Sequence, residues 1–295
     1  MDVGLTMLVG GFAAGVFGSL LGLGGGILIV PLLTLGFGLD LRSAVGVSLV
    51  CVIMTSSAAA GVYLERHTAN LRLGMSLELF TAIGALVGGS IAFFIDQRVL
   101  SVAFAVLLGY VAISMARGGG RDTDEDGEGE SDAEHAAHEA VGSALTRAKE
   151  PTAGSATVGT RAAFLASVAG PDYQVRNLGT GIVGATGAGV ASALLGIGGG
   201  IVKVPLMHLA MGVPLRVATA TSNLMIGITA AASGVIYLLR GEIDPYVAGP
   251  TAIGVFLGAT VGSRLSHRVG LRYLRWLFVV VMLYTASQML IRGIA

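Results

Sequence analysis

The sequence has few charged residues: Asp, Glu, Lys and Arg make up 12% of its 295 residues, against about 25% in a typical soluble domain. Hydrophobic residues make up 54% of the chain, and the mean hydropathy is +0.80. Charge-poor stretches of this length cannot be covered by polar surface, which excludes a soluble globular enzyme and predicts an integral membrane protein. The single cysteine, Cys51, excludes a disulfide framework or a thiolate metal site within one chain.

Motifs of known enzyme classes are also missing from the hydrophobic segments. We find no Ser–His–Asp set, HExxH, P-loop or carboxylate pair there, so we expect a protein that is not an enzyme and uses no cofactor, no resident metal and no nucleic acid. His135 and His138 lie next to Glu134 and Glu139, but a solvated charged run explains them better than a metal site.

Long uncharged stretches predict the membrane-spanning helices. Residues 43–64, 217–239 and 245–263 each match the roughly 20 residues that cross a bilayer. Stretches 99–116 and 276–291 are slightly shorter, and 73–95 contains Glu78 as its only charge. The glycine run at 22–26 is a poor helix interior, so we divide 3–39 into a helix over about 3–21 and a short helix over about 27–39. The first turns of the short helices then hold Pro31 and, in the second half, Pro205.

The chain contains an internal duplication. Adding 174 to a residue number maps the first half onto the second, and Leu20–Ser48 matches Leu194–Ser222 at 16 of 29 positions. The sequence therefore predicts an all-α integral membrane protein with two repeats, 1–115 and 180–295. Each repeat has about five hydrophobic helical segments, including a short helix that follows a glycine break.

An odd number of segments per repeat predicts that the second repeat is inverted in the bilayer. With inversion, eight arginines of the short loops lie on one face and four on the other, and the richer face is the cytoplasmic one. This places both termini outside a cell membrane and the segment 116–179 in the cytoplasm. That segment has 11 acidic and 6 basic residues, and its low apolar content predicts a flexible linker.

The two glycine-rich turns are the first candidate for a binding site. Irregular backbone inside a membrane is tolerated where it is buried in protein or lines a cavity, and interrupted repeated segments are typical of transporter sites. Bare N–H groups at the start of the next helix favour an anion. The candidates are Gly22, Gly24, Gly25 and Gly26 with Gly196, Gly198, Gly199 and Gly200. The alternative is close helix packing, which we also assign to Gly84/Gly88 and Gly258/Gly262.

Polar side chains near the turns complete the candidate site. Lys203 is the only lysine outside the linker and follows Gly200 by three residues, so it would attract an anion unless it extends to the membrane interface. Glu78 is a candidate for proton coupling or for pairing with Lys203, or it lies at the interface near Arg72. Hydroxyl and amide groups that begin the third helix of each repeat either bind the anion or link helices: Ser48, Thr219, Thr221, Ser222 and Asn223.

The duplicated motif G-[LI]-G-G-G-[IV]-x-x-V-P-L, at 22–32 and 196–206, resembles that of the TauE/SafE permeases, the sulfite exporter or TSUP family. So does the PLRVATATSN sequence at 214–223. The resemblance covers nearly the whole chain except the linker. It implies transport of a small organosulfur or sulfur oxyanion, such as sulfite or a sulfonate, without ATP.

We therefore expect a secondary transporter that works by alternating access, either coupled to a proton or sodium or by facilitated diffusion. Two alternatives stay open. One is a membrane scaffold or assembly factor that recruits a cytoplasmic partner through the acidic linker, and the other is a passive anion channel.

Overall fold

A computed structural model describes residues 2–20, 26–65, 70–118, 175, 177–265 and 271–294. Gly22, Gly24 and Gly25 and most of the linker 116–179 lie outside these residues. What the sequence predicts for them stays a prediction. Within the described residues the secondary structure is helical, and five helices are long and apolar enough to cross a membrane. Five shorter apolar helices accompany them. The prediction of an all-α membrane protein is confirmed.

The helices of the two halves begin and end at equivalent positions. The first half contains α1 Asp2–Leu20, α2 Gly26–Pro31, α3 Leu41–Glu65, α4 Leu71–Ile91 and α5 Gln97–Gly118. The second half contains α6 Leu178–Leu195, α7 Gly200–Pro205, α8 Leu215–Leu239, α9 Pro245–Leu265 and α10 Leu271–Ile294. Among the described residues, five pairs of helices thus follow the offset of 174 residues, and the last glycine of each run, Gly26 and Gly200, begins a short helix.

The two prolines have a different place from the one predicted. Pro31 and Pro205 are the last residues of α2 and α7 rather than part of their first turns, and a π-helical turn follows each of them, over Leu32–Gly36 and Leu206–Ala210. Because proline has no N–H, it cannot donate to the carbonyl four residues earlier. The chain continues with the wider i→i+5 turn. Each helical segment, formed by the short helix and its π-helical turn, therefore ends at residue 36 or 210.

The first helix of each half packs against the other half of the chain. Helix α1 packs on α9 of the other half, and α6 packs on α4 in the equivalent way. Glycines bring these backbones together: a Cβ on Gly84 would collide with the carbonyl of Thr186, and one on Gly258 with the carbonyl of Phe12. The packing role predicted for these glycines is confirmed.

Helices α3 and α8 form the centre of the molecule and run antiparallel. Ser43, at the start of α3, donates to the Glu242 carboxylate just beyond the end of α8, at 2.8 Å. Further along α3, Ser56 donates to the backbone carbonyl of Asn223, near the start of α8, at 2.6 Å. Helices α5 and α10 pack on each other at the side, with Gly293 near the end of α10 close to Val102 of α5.

Candidate functional site

The second glycine turn joins α6 to α7 inside the protein. Gly196, Gly198 and Gly199 have φ values of 67°, 75° and 76°, in the left-handed region that residues with a Cβ avoid. The side chains of Val52 and Ile226 pack on the turn, so that a Cβ on Gly198 would collide with both. The conformation and the lack of space both require glycine, and the turn lies within the protein rather than against lipid.

The described end of the first glycine run touches the second turn. Gly26 begins α2, and a Cβ on it would lie 2.6 Å from the carbonyl oxygen of Gly196. The Ser48 hydroxyl, fully buried, lies between them, 2.7 Å from the Gly196 oxygen and 3.2 Å from the Gly26 oxygen. Ser48 therefore links the two glycine segments, and the groups that meet there are carbonyl oxygens.

Lys203 and Glu78 form a buried ion pair. The Lys203 Nζ lies 3.0 Å from Glu78 Oε2, and the two residues are 1% and 4% exposed. Lys203 also donates to the Thr229 hydroxyl at 2.5 Å, and that hydroxyl lies 2.6 Å from Glu78 Oε1. Three side chains from α4, α7 and α8 thus form a closed ring of contacts, which we call the charged triad.

This geometry decides between alternatives that the sequence left open. Glu78 pairs with Lys203, which was one of these alternatives, so Lys203 does not extend to the membrane interface and Glu78 does not lie there near Arg72. The Glu78 carboxylate also compensates the lysine charge. The candidate site is a neutral ion pair beside the second turn.

The other predicted residues of α8 contact neighbouring helices. The Thr221 hydroxyl accepts from the backbone N–H of Asn70 at 3.0 Å, just before α4. The backbone of Asn223 bonds to Ser56, and Thr219 is half-buried. In this structure these contacts correspond to the alternative of hydrogen bonding between helices, which is common for such residues in membranes.

Ser222 differs from them and has a counterpart that the sequence did not single out. The hydroxyls of Ser222 and Ser192 are fully buried and have no hydrogen-bond partner within the described part of the chain. Ser192 lies on α6 beside Gly199, and Ser222 on α8 beside Gly200. Buried polar groups usually have partners, so the surroundings of the second turn are unusual.

Thr229 and Ser192 were missed because a single hydroxyl on an apolar helix carries no distinctive signal. Thr229 also bonds to the Met225 carbonyl of its own helix, 3.1 Å away, as isolated threonines in helices commonly do. A systematic comparison of the two repeats shows Thr229 at the position of Thr55, but the pairing of the hydroxyl with a charged pair requires the tertiary structure.

In the part of the chain that the structure describes, ten apolar helical segments with a buried charge pair beside a broken helix are typical of a multi-pass helical membrane transporter. The family model described as "Sulfite exporter TauE/SafE" matches residues 7–289. The chain therefore belongs to the TauE/SafE family.

Individual relatives agree with this assignment, over different shares of their length. The chain is 24% identical to the probable membrane transporter protein YunE of Bacillus subtilis, over 98% of both chains. It is 26% identical to the probable membrane transporter protein MamO of Magnetospirillum gryphiswaldense, over 98% of this chain and 44% of that protein. It is 33% identical to Sulfite exporter TauE/SafE family protein 6 of Arabidopsis thaliana, over 33% of this chain and 23% of that protein. No solved structure matches the chain at a significant level.

Proposed function

We propose that the protein is a secondary transporter of a small anion, an organosulfur compound or sulfur oxyanion such as sulfite or a sulfonate. It works by alternating access, coupled to a proton or sodium, and binds its substrate beside the second glycine turn. The observation that carries this proposal is the buried pair of Lys203 and Glu78, 3.0 Å apart and bridged by Thr229.

Stability alone does not account for a charged pair in this position. Removing two charges from water is expensive, and a buried ion pair adds little compared with apolar residues of similar size. The surroundings of α2 show that the fold works without it: the positions equivalent to Lys203 and Glu78 are Ile29 of the first repeat and Ala252 of the second, both buried. Ionisable groups inside a membrane usually mark a substrate or ion pathway.

The proposed site contains the polar residues around this pair. Lys203 supplies the positive charge for the anion, and Glu78 is the candidate for proton coupling. The glycines of the second turn, with Gly22, Gly24, Gly25 and Gly26 of the first, allow the backbone to approach the substrate. Ser48, Thr219, Thr221, Ser222 and Asn223 are the proposed polar lining in the states that the transporter adopts during its cycle.

Alternating access requires two units that can move against each other, and the proposed inverted repeats provide them. Two observations support inversion. The equivalent helices α3 and α8 run antiparallel, and Arg42 and Arg240 both approach the Phe93 ring, at 5.8 and 5.0 Å. These arginines therefore lie at the same end of the molecule, which we propose to be the outer face of a cell membrane. The linker 116–179 is then cytoplasmic, between repeats 1–115 and 180–295.

Purified protein in liposomes tests the proposed function. We expect saturable uptake of at least one labelled anion from a panel of sulfite, methanesulfonate, thiosulfate and sulfate, and loss of that uptake in Lys203→Ala. Ile29→Met, at the equivalent position of the first repeat, is the matched control and should keep the wild-type rate. No uptake of any of the four anions by folded wild-type protein would contradict the proposal.

The same preparation separates the two alternatives. A passive channel would show flux that does not saturate and that ignores a proton or sodium gradient. A scaffold that acts through its acidic linker would lose activity when about 120–155 are deleted, whereas we expect a transporter to keep most of its flux.

A further inference from the structure

The ion pair does not explain two hydroxyl groups beside the second turn. The hydroxyls of Ser192 and Ser222 are fully buried and, within the described residues, have no hydrogen-bond partner. Their equivalents in the first repeat differ: position 18 is glycine, and Ser48 bonds to two carbonyls. A buried hydroxyl without a partner costs free energy, so these two groups point to a ligand that satisfies them.

Ser192, Ser222 and Lys203 lie around two consecutive residues of the second turn, Gly199 and Gly200. The position of a Cβ on Gly199 would be 3.3 Å from Ser192 Cβ and 3.6 Å from Lys203 Cε. The position of a Cβ on the next residue, Gly200, would be 3.7 Å from Ser222 Oγ. One cationic donor and two free hydroxyl donors therefore surround Gly199 and Gly200, a set suited to the several oxygens of a small oxyanion.

We propose that the Glu78 carboxylate lies where the substrate anion binds to Lys203. The substrate binds only when a proton neutralises Glu78 and the carboxyl group leaves Lys203. This inference rests on the proposed function and specifies its coupling. The protonated Glu78 stays hydrogen-bonded to Thr229, and the oxyanion takes its place on Lys203 with the hydroxyls of Ser192 and Ser222 as further donors.

The charge balance requires that proton and anion bind together. Lys203 and Glu78 carry no net charge as a pair, and adding one proton and one monovalent anion leaves the site neutral. An anion without the proton would leave one uncompensated negative charge inside the protein, and a proton without the anion one positive charge. Both are strongly disfavoured in an apolar interior, so transport of a monovalent anion is electroneutral.

No other described ionisable group contacts Glu78. Helix α4 packs on α6 and α8. Helix α6 contains no ionisable residue, and α8 contains Arg216 and Tyr237, which lie near its two ends. The Tyr237 hydroxyl bonds to the Ala193 carbonyl at 3.0 Å. On α4 itself Arg72 lies six residues before Glu78 and is exposed. Lys203, from α7, is thus the group that determines whether Glu78 carries its charge.

Counting protons against anions in liposomes tests the inference on wild-type protein. We use labelled methanesulfonate, whose charge does not change near neutral pH, with a pH-sensitive dye inside the vesicles. If methanesulfonate is not carried, ethanesulfonate, whose single charge is also constant near neutral pH, replaces it. We expect one proton per monovalent anion and a rate that does not respond to an imposed membrane potential. Uptake of the anion without proton movement would overturn the inference and leave the proposed function intact.

Variants of Glu78 and the two serines locate the coupling. Glu78→Gln should still exchange internal for external anion but should no longer be driven by a pH gradient; proton-driven uptake by this variant would overturn the inference. If the variant does not fold, Glu78→Asp, which keeps a carboxylate on the same helix position, should keep the proton count, and loss of the proton count with anion uptake retained would overturn the inference. Ser192→Ala and Ser222→Ala should each raise the half-saturating anion concentration about tenfold, whereas the control Ser101→Ala, a hydroxyl bonded within its own helix, should not. Unchanged half-saturation in both serine variants would contradict the anion position.

Discussion

The surroundings of the two short helices are built alike and differ in charge. Around α7, Lys203, Thr229 and Glu78 form the charged triad. The equivalent positions around α2 hold Ile29, Thr55 and Ala252, all buried. The same backbone arrangement is therefore stable with an apolar interior. The comparison teaches that the charges around α7 are not needed to build the fold, so that they are available for function.

The largest effect is expected when half of the ion pair is removed. Lys203→Met leaves the Glu78 carboxylate buried without its partner, and breaking a buried pair in this way costs about 3–5 kcal/mol. The free energy of unfolding, measured by denaturation in detergent, should fall by that amount. Ile29→Met, the matched change in the first repeat, should cost less than about 1.5 kcal/mol. Equal losses of unfolding free energy in Lys203→Met and Ile29→Met would contradict the difference between the surroundings of α7 and α2.

Replacing the charged pair around α7 by the apolar residues found around α2 should restore much of the stability. In the double variant Lys203→Ile with Glu78→Ala, no charge is left unpaired. We expect it to be more stable than the sum of the single changes predicts, with a coupling energy of about 1–3 kcal/mol. A double-mutant cycle in the same denaturation assay measures this coupling. Additive losses would mean that the pair contributes nothing as a unit.

An intermediate effect is expected at the bridging hydroxyl. Thr229→Val keeps the side-chain shape but removes the oxygen that contacts both Lys203 and Glu78, which should cost about 1–3 kcal/mol. Thr251→Val, on α9, removes a buried hydroxyl that donates to the Val247 carbonyl of its own helix at 2.7 Å, and we expect a smaller loss. Thermal denaturation of both variants checks this: the melting temperature of Thr229→Val should be the lower of the two. The reverse order would contradict the prediction.

The smallest effects concern the equivalent serines. Ser48 donates to Gly26 and Gly196, so Ser48→Ala should cost about 1 kcal/mol. Ser222 has no partner among the described residues, so Ser222→Ala should change the stability by no more than about 0.5 kcal/mol. Chemical denaturation of both variants in parallel gives the comparison. A large loss in Ser222→Ala would show that its hydroxyl is already bonded.

The sequence predicts the parts of the fold that have a local cause. Uncharged runs give the long helices, the offset of 174 residues gives the repeat, and the glycine runs give the short helices. Lys203 is recognisable as a rare charge in an apolar segment. The packing of α1 and α6 against the other half of the chain is not predictable in this way, since it depends on glycines of α4 and α9 that meet a backbone far away in the sequence.

The site was harder to predict, because its contacts are long-range. Glu78 and Lys203 are 125 residues apart, and nothing in the local sequence of Glu78 distinguishes a partner on α7 from one at the interface. The π-helical turns after Pro31 and Pro205 were also missed. They depend on how the chain replaces the hydrogen bond that proline cannot make, and the sequence does not determine this uniquely.

The most direct test of the central claim is the initial rate of labelled anion uptake by liposomes that contain the double variant Lys203→Ile with Glu78→Ala, measured beside wild type. This variant has, at both positions, the apolar residues found at the equivalent positions around α2, Ile29 and Ala252. We predict a folded protein with uptake no greater than that of empty liposomes, at an anion concentration where wild type is saturated. Uptake at the wild-type rate would contradict the account, because the anion would then cross without the charge pair.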